Sequence, residues 1–302
     1  MIRRSYYEAS ARERIAGLLD PSSFRELMGP AERRVSPHLQ TLDLPVAFDD
    51  GVVVGEGRLD GRPVLLAAQE GEFMGGAVGE VHGAKIVGLL QRAERLAGEG
   101  RPHGVLLLLE TGGVRLQEAN AGLIAVSEIM RAILTARAAG VRVLAAIGGR
   151  YGCFGGMGIA VSGVDAIVMS EQGRLGLSGP EVIETSRGVE EFDSRDRAKV
   201  WRTVGGKHRY LLGDCQQLVE DDIAHFRAAL SALLQDAGQA CPGFSLQAVQ
   251  AEHALLQARL ERFGQAGDGL DIWQALGWEQ PEQVPVLECA DFLQAAQTRR
   301  AR

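Results

Sequence analysis

Apolar residues recur along this chain in two alternating rhythms. Short, nearly continuous apolar runs read as strands: VVVGEGRL after Gly51, RPVLLAAQ after Asp60-Gly61, GVLLLLE at 104–110, VRVLAAI at 141–147 and DAIVMS at 165–170. The Asp-Gly pair joins the first two as a hairpin. Between the runs lie longer stretches with apolar positions at helical spacing, Ile86, Leu89, Leu90 and Leu96 in one and Leu123, Val126, Met130, Ile133 and Leu134 in the next. Strands buried on both faces and alternating with helices predict an α/β fold with a largely parallel sheet. Ahead of them, Ala11 to Leu27 reads as a polar helix and Arg33 to Asp50 as a loop with prolines at 37 and 45. The last seventy residues, rich in Ala, Gln and Leu, read as helices without chemical motifs.

Glycine interrupts this pattern at particular places. The chain has 39 glycines in 302 residues, against a usual share of about 7%. TGG at 111–113 follows one apolar run and GCFGG at 152–156 follows the next, so both read as strand-to-helix turns. In such a turn glycine permits positive φ and close approach of a ligand, and the helix that follows leaves its first N–H groups without intrahelical partners. Two such loops side by side would aim one N–H each at a single oxygen, an oxyanion hole built from backbone alone. Tight packing of helix on strand accounts for the same glycines equally well.

Composition narrows the chemistry. With 46% hydrophobic residues the chain can bury a substantial core, and 32 Lys plus Arg against 39 Asp plus Glu, a net charge of -7, argues against nucleic acid as a partner. Cys153, Cys215, Cys241 and Cys289 lie too far apart for a disulfide framework or a zinc site. No apolar stretch approaches the roughly 20 residues of a membrane helix, and the first twenty residues lack a secretory apolar core, so a cytoplasmic protein is expected. There is no phosphate-binding P-loop, and Ser178 in GLSGP is not in a nucleophile elbow; it reads as a helix cap or loop residue. The six histidines show no i, i+4 pair. Glu110 and Glu118 flank the first glycine turn, Glu118 where a helix N-terminus favours an acid. Backbone donors without a nucleophile or base suit one reaction class, cleavage of a carboxyl group from a malonyl thioester through a thioester enolate.

The ordered motifs FMGGAVGEVHGAK (73–85), ETGGVRLQEA (110–119), FGGMGIA (154–160) and GLSGPEVIE (176–184), with ARERIAGLLDPSSFREL (11–27), resemble the carboxyltransferase subunits of the crotonase-like superfamily. The resemblance covers about residues 11–220. It implies the ClpP/crotonase ββα superhelix over residues 1–240, including the N-terminal helical entry, with a C-terminal helical extension at 241–302 packed on it or on a partner. It places the thioester-oxygen donors at Gly112, Gly113, Gly155 and Gly156 and substrate contacts at Gly75, Gly76, Arg115, Phe154, Ser178 and Gly179. Arg115 and Gln117 also read as loop supports, and Cys153 as packing.

Bacterial acetyl-CoA carboxylase β subunits carry a four-cysteine zinc ribbon at the N-terminus, whereas the first cysteine here is Cys153, which argues against that activity. RGVEEFDSRDRAKVWRTVGGKHRYLLGDC (187–215) instead resembles the β subunits of biotin-independent malonate decarboxylases. That resemblance implies a γ partner subunit sharing the active site, an acyl-carrier protein subunit whose phosphoribosyl-dephospho-CoA arm delivers the malonyl group, and an α transferase subunit. It implies no tightly bound cofactor, no biotin and no metal. In the same segment Trp201, Gly205, Gly206, Lys207, His208, Arg209 and Tyr210 bring aromatic and basic groups together, as binding surfaces do, although alternating charge at 190–199 also suits a solvated face. Lys207, His208 and Arg209 would meet an acidic carrier or a phosphate, or form a plain basic loop. A carboxyltransferase half of a biotin-dependent acyl-CoA carboxylase and a non-catalytic carrier-docking scaffold are the alternatives.

Overall fold

The computed structural model describes residues 4–43, 50–235 and 245–301. In chain order its elements begin α1 (Ala11–Leu18), β1 (Arg25–Met28), α2 (Pro37–Thr41), β2 (Val52–Leu59), β3 (Arg62–Gln69), α3 (Glu80–Gly98), β4 (Gly104–Leu108), α4 (Ala121–Ala138) and β5 (Val143–Ile147). They continue with α5 (Gly156–Ala160), β6 (Ala166–Ser170), α6 (Pro180–Arg187), α7 (Arg197–Val204), α8 (Gly206–Leu212), β7 (Gln217–Val219) and α9 (Ile223–Gln235). After the second gap come α10 (Leu246–Phe263), α11 (Gly269–Ala275) and α12 (Cys289–Ala296).

Asp60 and Gly61 take φ of 48° and 77°, the paired positive angles of a two-residue hairpin turn, and β2 and β3 run antiparallel around them. The seven strands lie in sequence order, with β1 and β2 antiparallel and every pairing from β3 to β7 parallel. Alternate strand residues serve opposite layers. Leu66, Leu106, Leu144 and Val168 pack with Ile15 of α1 and Phe226 of α9, whereas Leu65, Leu107, Ala145 and Ile167 pack with Ile86 of α3 and Ile129 of α4. Each such side chain, buried outright, contributes roughly 1.5–3 kcal/mol relative to exposure. Trp273, Trp278 and Phe292 of the C-terminal segment join the second of these layers. The expected boundary at 240/241 lies outside the described residues.

Three expectations need correction. The N-terminal helix stops at Leu18 rather than Leu27, because Pro21 and Ser22 (φ 58°) turn the chain into β1. The loop from Arg33 contains a helical turn, Pro37–Thr41, capped by the Ser36 hydroxyl, and positions 44–49 are outside the described residues. α4 turns a different face inward: Ala125, Val126, Ile129, Ala132, Ile133 and Ala136 are buried, while Leu123 and Leu134 are 54% and 43% exposed. Small residues win that face because α3 comes so close that a Cβ on Gly83 would lie 2.3 Å from the Ala125 Cβ.

Candidate functional site

The parallel strands end side by side, so the loops leaving β4, β5 and β6 are neighbours. Backbone hydrogen bonds stitch them into a small second layer: Thr111 N–H donates to Gly152 O at 2.8 Å, Phe154 N–H to Thr111 O at 2.9 Å, and Cys153 N–H to Arg174 O at 2.8 Å. At the seam the two glycine loops touch. A Cβ on Gly155, whose φ is +66°, would sit 3.0 Å from the Gly113 Cα.

The donors of these loops are not equally free. Gly112 N–H donates to Gly75 O at 2.9 Å and Gly155 N–H to Leu177 O at 2.8 Å, so these two expected donors are committed to holding the loops. Gly113 N–H reaches the Thr111 hydroxyl, at a long 3.2 Å. Gly156 N–H opens α5 and has no acceptor among the described residues. Of the four expected donors, Gly156 therefore keeps a free N–H and Gly113 one that a ligand would have to draw from the Thr111 hydroxyl, one on each of two abutting loops. The first loop is not a strand-to-helix turn, since Val114 to Asn120 separate Gly113 from α4.

A buried ionic frame fixes both loops. Glu110 lies just before Thr111; its carboxylate accepts from Arg14 of α1 and, at 3.1 Å, from the N–H of Tyr151 at the head of the second loop. Its own N–H donates to Gln69 Oε1 at 2.9 Å, and the Gln69 amide nitrogen contacts His82 Nε2 at 3.0 Å. Burial, with the charges of Arg115 and Lys85, holds the His82 imidazole well below its usual pKa, so it stays neutral. Sequence reasoning passed over Arg14 and Gln69 and gave His82 only a surface or structural role, since the one signal was a polar type in an otherwise apolar setting.

Arg115 is buried, and its guanidinium is taken up by acceptors of the protein itself. It donates to Asp50 Oδ1 at 2.6 Å, Asp50 O at 2.8 Å, Ala77 O at 3.0 Å and Glu118 Oε1 at 3.1 Å. Burial raises the Asp50 carboxyl pKa against the lowering effect of Arg115. Glu118 accepts the Glu80 N–H at 2.6 Å, so it serves the start of α3 and not that of the helix following it in sequence. Phe154 is also enclosed, in a cluster with Phe192, Val200 and Val204.

Gly76 is buried, and a Cβ there would lie 1.9 Å from Glu110 O, so no side chain fits. Gly75, Ser178 and Gly179 are partly exposed beside the loops; Gly179 occupies the N-cap of α6, so Ser178 is not the cap. The Cys153 thiol is pushed up to about 12 by burial. The basic run at 207–209 turns inward. Lys207 donates to Val284 O and Pro285 O at 3.1 Å, buried His208 accepts from Trp273 Nε1 at 3.2 Å, and Arg209 pairs with Asp214 at 3.1 Å. On the segments that follow the two loops Leu116, Ile124, Ile159 and Leu177 are 80%, 62%, 47% and 64% exposed.

Residues 7–231 match the carboxyl transferase domain. The chain belongs to the carboxyl transferase domain family. Among its carboxyl transferase relatives, the malonyl-S-ACP:biotin-protein carboxyltransferase of Malonomonas rubra is 41% identical over 313 residues, 99% of this chain and 97% of that protein. A propionyl-CoA carboxylase β chain of Saccharopolyspora erythraea is 34% identical over 74% of this chain and 39% of its own length. In structure, a chain of a Pseudomonas malonate decarboxylase hetero-tetramer superposes with a TM-score of 0.78 at 44% identity, covering 87% of this chain and 93% of that one. A chain of a Pseudomonas malonate decarboxylase hetero-dimer gives 0.66 at 40% identity, covering 84% and 96%. The crotonase-like α/β fold follows from this membership. Among the described residues no helix is long and apolar enough to cross a membrane.

Proposed function

We propose that this carboxyl transferase chain is the β subunit of a malonate decarboxylase, converting a malonyl thioester into an acetyl thioester and CO2 together with a γ-type partner subunit. The thioester oxygen accepts hydrogen bonds from the N–H groups of Gly113 and Gly156. The bond between C2 and the carboxylate carbon breaks, CO2 departs, and the electron pair moves into an enolate whose oxygen charge those two donors hold. C2 then takes a proton. A single preorganised donor of this kind is worth roughly 2.7–4 kcal/mol in the transition state. The observation that carries the reading is the meeting of two loops, one with the unpartnered Gly156 amide and the other with the Gly113 amide held only by a 3.2 Å bond to the Thr111 hydroxyl.

Exposed apolar side chains support a partner: Leu116, Ile124, Ile159 and Leu177 lie on the segments that follow the two loops, and a second subunit seated there would exclude water from the enolate. The substrate would arrive on the phosphoribosyl-dephospho-CoA arm of an acyl-carrier subunit loaded by an α transferase, with no biotin, metal or tightly bound cofactor on this chain. The deciding experiment is mass spectrometry of a malonyl-carrier thioester incubated with this chain and its partner, with and without avidin. Avidin-insensitive conversion to acetyl thioester, lost in Gly156→Val, is the expected result; an active Gly156→Val would leave a scaffold.

A second reading has one specific support, the 41% identity over 99% of the chain to a carboxyltransferase that names a biotin protein. In it the same enolate forms but the carboxyl group passes to a biotin carrier. Conversion that requires such a carrier and stops with avidin would establish it.

A further inference from the structure

Arg174 is an arginine without a counter-ion. Its guanidinium carbon lies 5.7 Å from the Phe154 ring centroid and 5.1 Å from that of Trp201, and it donates to Arg150 O. Its Nε is buried with no hydrogen-bond partner, and no carboxylate lies within ion-pair distance among the described residues. Glu181 acts on it only from farther away. A second guanidinium, Arg197, is 5.4 Å from the centroid of the same Trp201 ring and also lacks an acidic partner among the described residues. The two cations act on each other, and burial together with that repulsion lowers the Arg174 pKa.

Arg197 and Trp201 form part of the wall of a cavity of about 300 Å³, together with Glu171, Lys207, Trp273 and Arg202, the last paired with Asp268. Lys207 is held by Glu171 and by carbonyls, so the uncommitted positive charge beside the cavity belongs to Arg174 and Arg197. Arginines are seldom desolvated unless paired, and an orphaned buried donor calls for a partner. A guanidinium immobilised on an aromatic face has already lost its rotamer freedom and offers a planar fork that fits phosphate. Two such forks on one ring match the charge of a phosphate group better than that of one carboxylate.

We propose that Arg197 and Trp201 of this wall, with Arg174 stacked on the same Trp201 ring, form a phosphate-recognition site. The phosphate would come either from the phosphorylated arm of the thioester substrate, which rests on the function proposed above, or from a free organic phosphate.

The test titrates inorganic pyrophosphate calorimetrically into the complex of this chain with its partner, for the unmodified protein, Arg174→Gln, Arg197→Gln and the control Arg131→Gln, an exposed arginine paired with Glu128 elsewhere. Binding weakened about tenfold by either site substitution and unchanged by the control is expected, a difference of about 1.4 kcal/mol. Exposed Arg197 guards against misfolding of the more enclosed Arg174 variant. A raised KM for malonyl-dephospho-CoA with unchanged kcat and unchanged KM for malonyl-pantetheine assigns the site to the substrate arm. Weakened pyrophosphate binding with no change in either KM assigns it to a free phosphate. Pyrophosphate that does not bind, or binds all four proteins alike, overturns the site, and this readout stands whether or not the complex decarboxylates anything.

Discussion

Glu110 accepts the backbone N–H of Tyr151 at 3.1 Å, so one buried carboxylate ties together the starts of two loops 41 residues apart. Because Arg14 is its buried counter-ion, the loops that carry Gly113 and Gly156 are positioned from α1. Removing one member of such a pair leaves the other charge buried and uncompensated, at a cost of about 3–5 kcal/mol. Glu110→Ala should therefore lower the thermal midpoint by several degrees, as read by calorimetry, with Arg14→Met causing a comparable loss. A double variant no worse than either single one would confirm that the two act as a pair.

Gly156 has room only for hydrogen because of one neighbour. A Cβ there would lie 2.7 Å from Val126 Cγ1. Its φ is not in the positive region, so alanine is excluded by contact and not by backbone strain. Gly156→Ala should reduce kcat about 100-fold by displacing the amide. Adding Val126→Ala should recover most of the loss, measured by steady-state thioester turnover; no recovery would refute the steric account.

His208 supplies a pH dependence of known sign. Burial, with neighbouring Arg209, lowers its pKa to about 3, whereas an unfolded imidazole titrates near 6.5. Below pH 6.5 the unfolded chain takes up a proton that the folded chain refuses, so this contribution to stability is complete above 6.5 and is lost as pH falls toward 3. Between pH 7 and pH 5 the loss amounts to roughly 2 kcal/mol. His208→Gln should flatten the decline, seen as a smaller change in urea-unfolding free energy over that interval.

Three thiols should be silent in the native protein. Burial pushes Cys153 and Cys215 up to about 12 and Cys289 up to about 11, leaving almost no thiolate at pH 8. Ellman's reagent should not modify them until denaturant is added, as checked by peptide mapping. Rapid native labelling of Cys153 would contradict its role as packing beside the second glycine loop.

Much of the architecture was legible in the chain because it depends on local periodicity. The hairpin at Asp60-Gly61, the parallel strands and α3 follow from turn chemistry and from apolar spacings that a 2-residue or 3.6-residue repeat must bury. Short β1 and β7 were not legible, since four and three residues carry too little pattern and owe their strand state to a waiting sheet edge. The inward face of α4 was misread for a related reason. Its large residues suggested one face, but the distance to α3 was set by Gly83 and Ala125, and distance between elements is not a property of either sequence segment alone.

The same division runs through the site. By itself the sequence determined that two glycine-rich loops follow adjacent strands, because glycine at those positions is a local backbone requirement. Only the tertiary structure decided which amides stay free: Gly112 and Gly155 donate to Gly75 and Leu177, 37 and 22 positions away. It also decided that Arg115, Lys207 and His208 are enclosed while Arg174 and Arg197 keep uncompensated charge. Hydrogen-bond commitment and charge pairing are properties of what folding brings within about 3–4 Å, and residues far apart in the chain meet at that range only when the sheet and its layers are assembled.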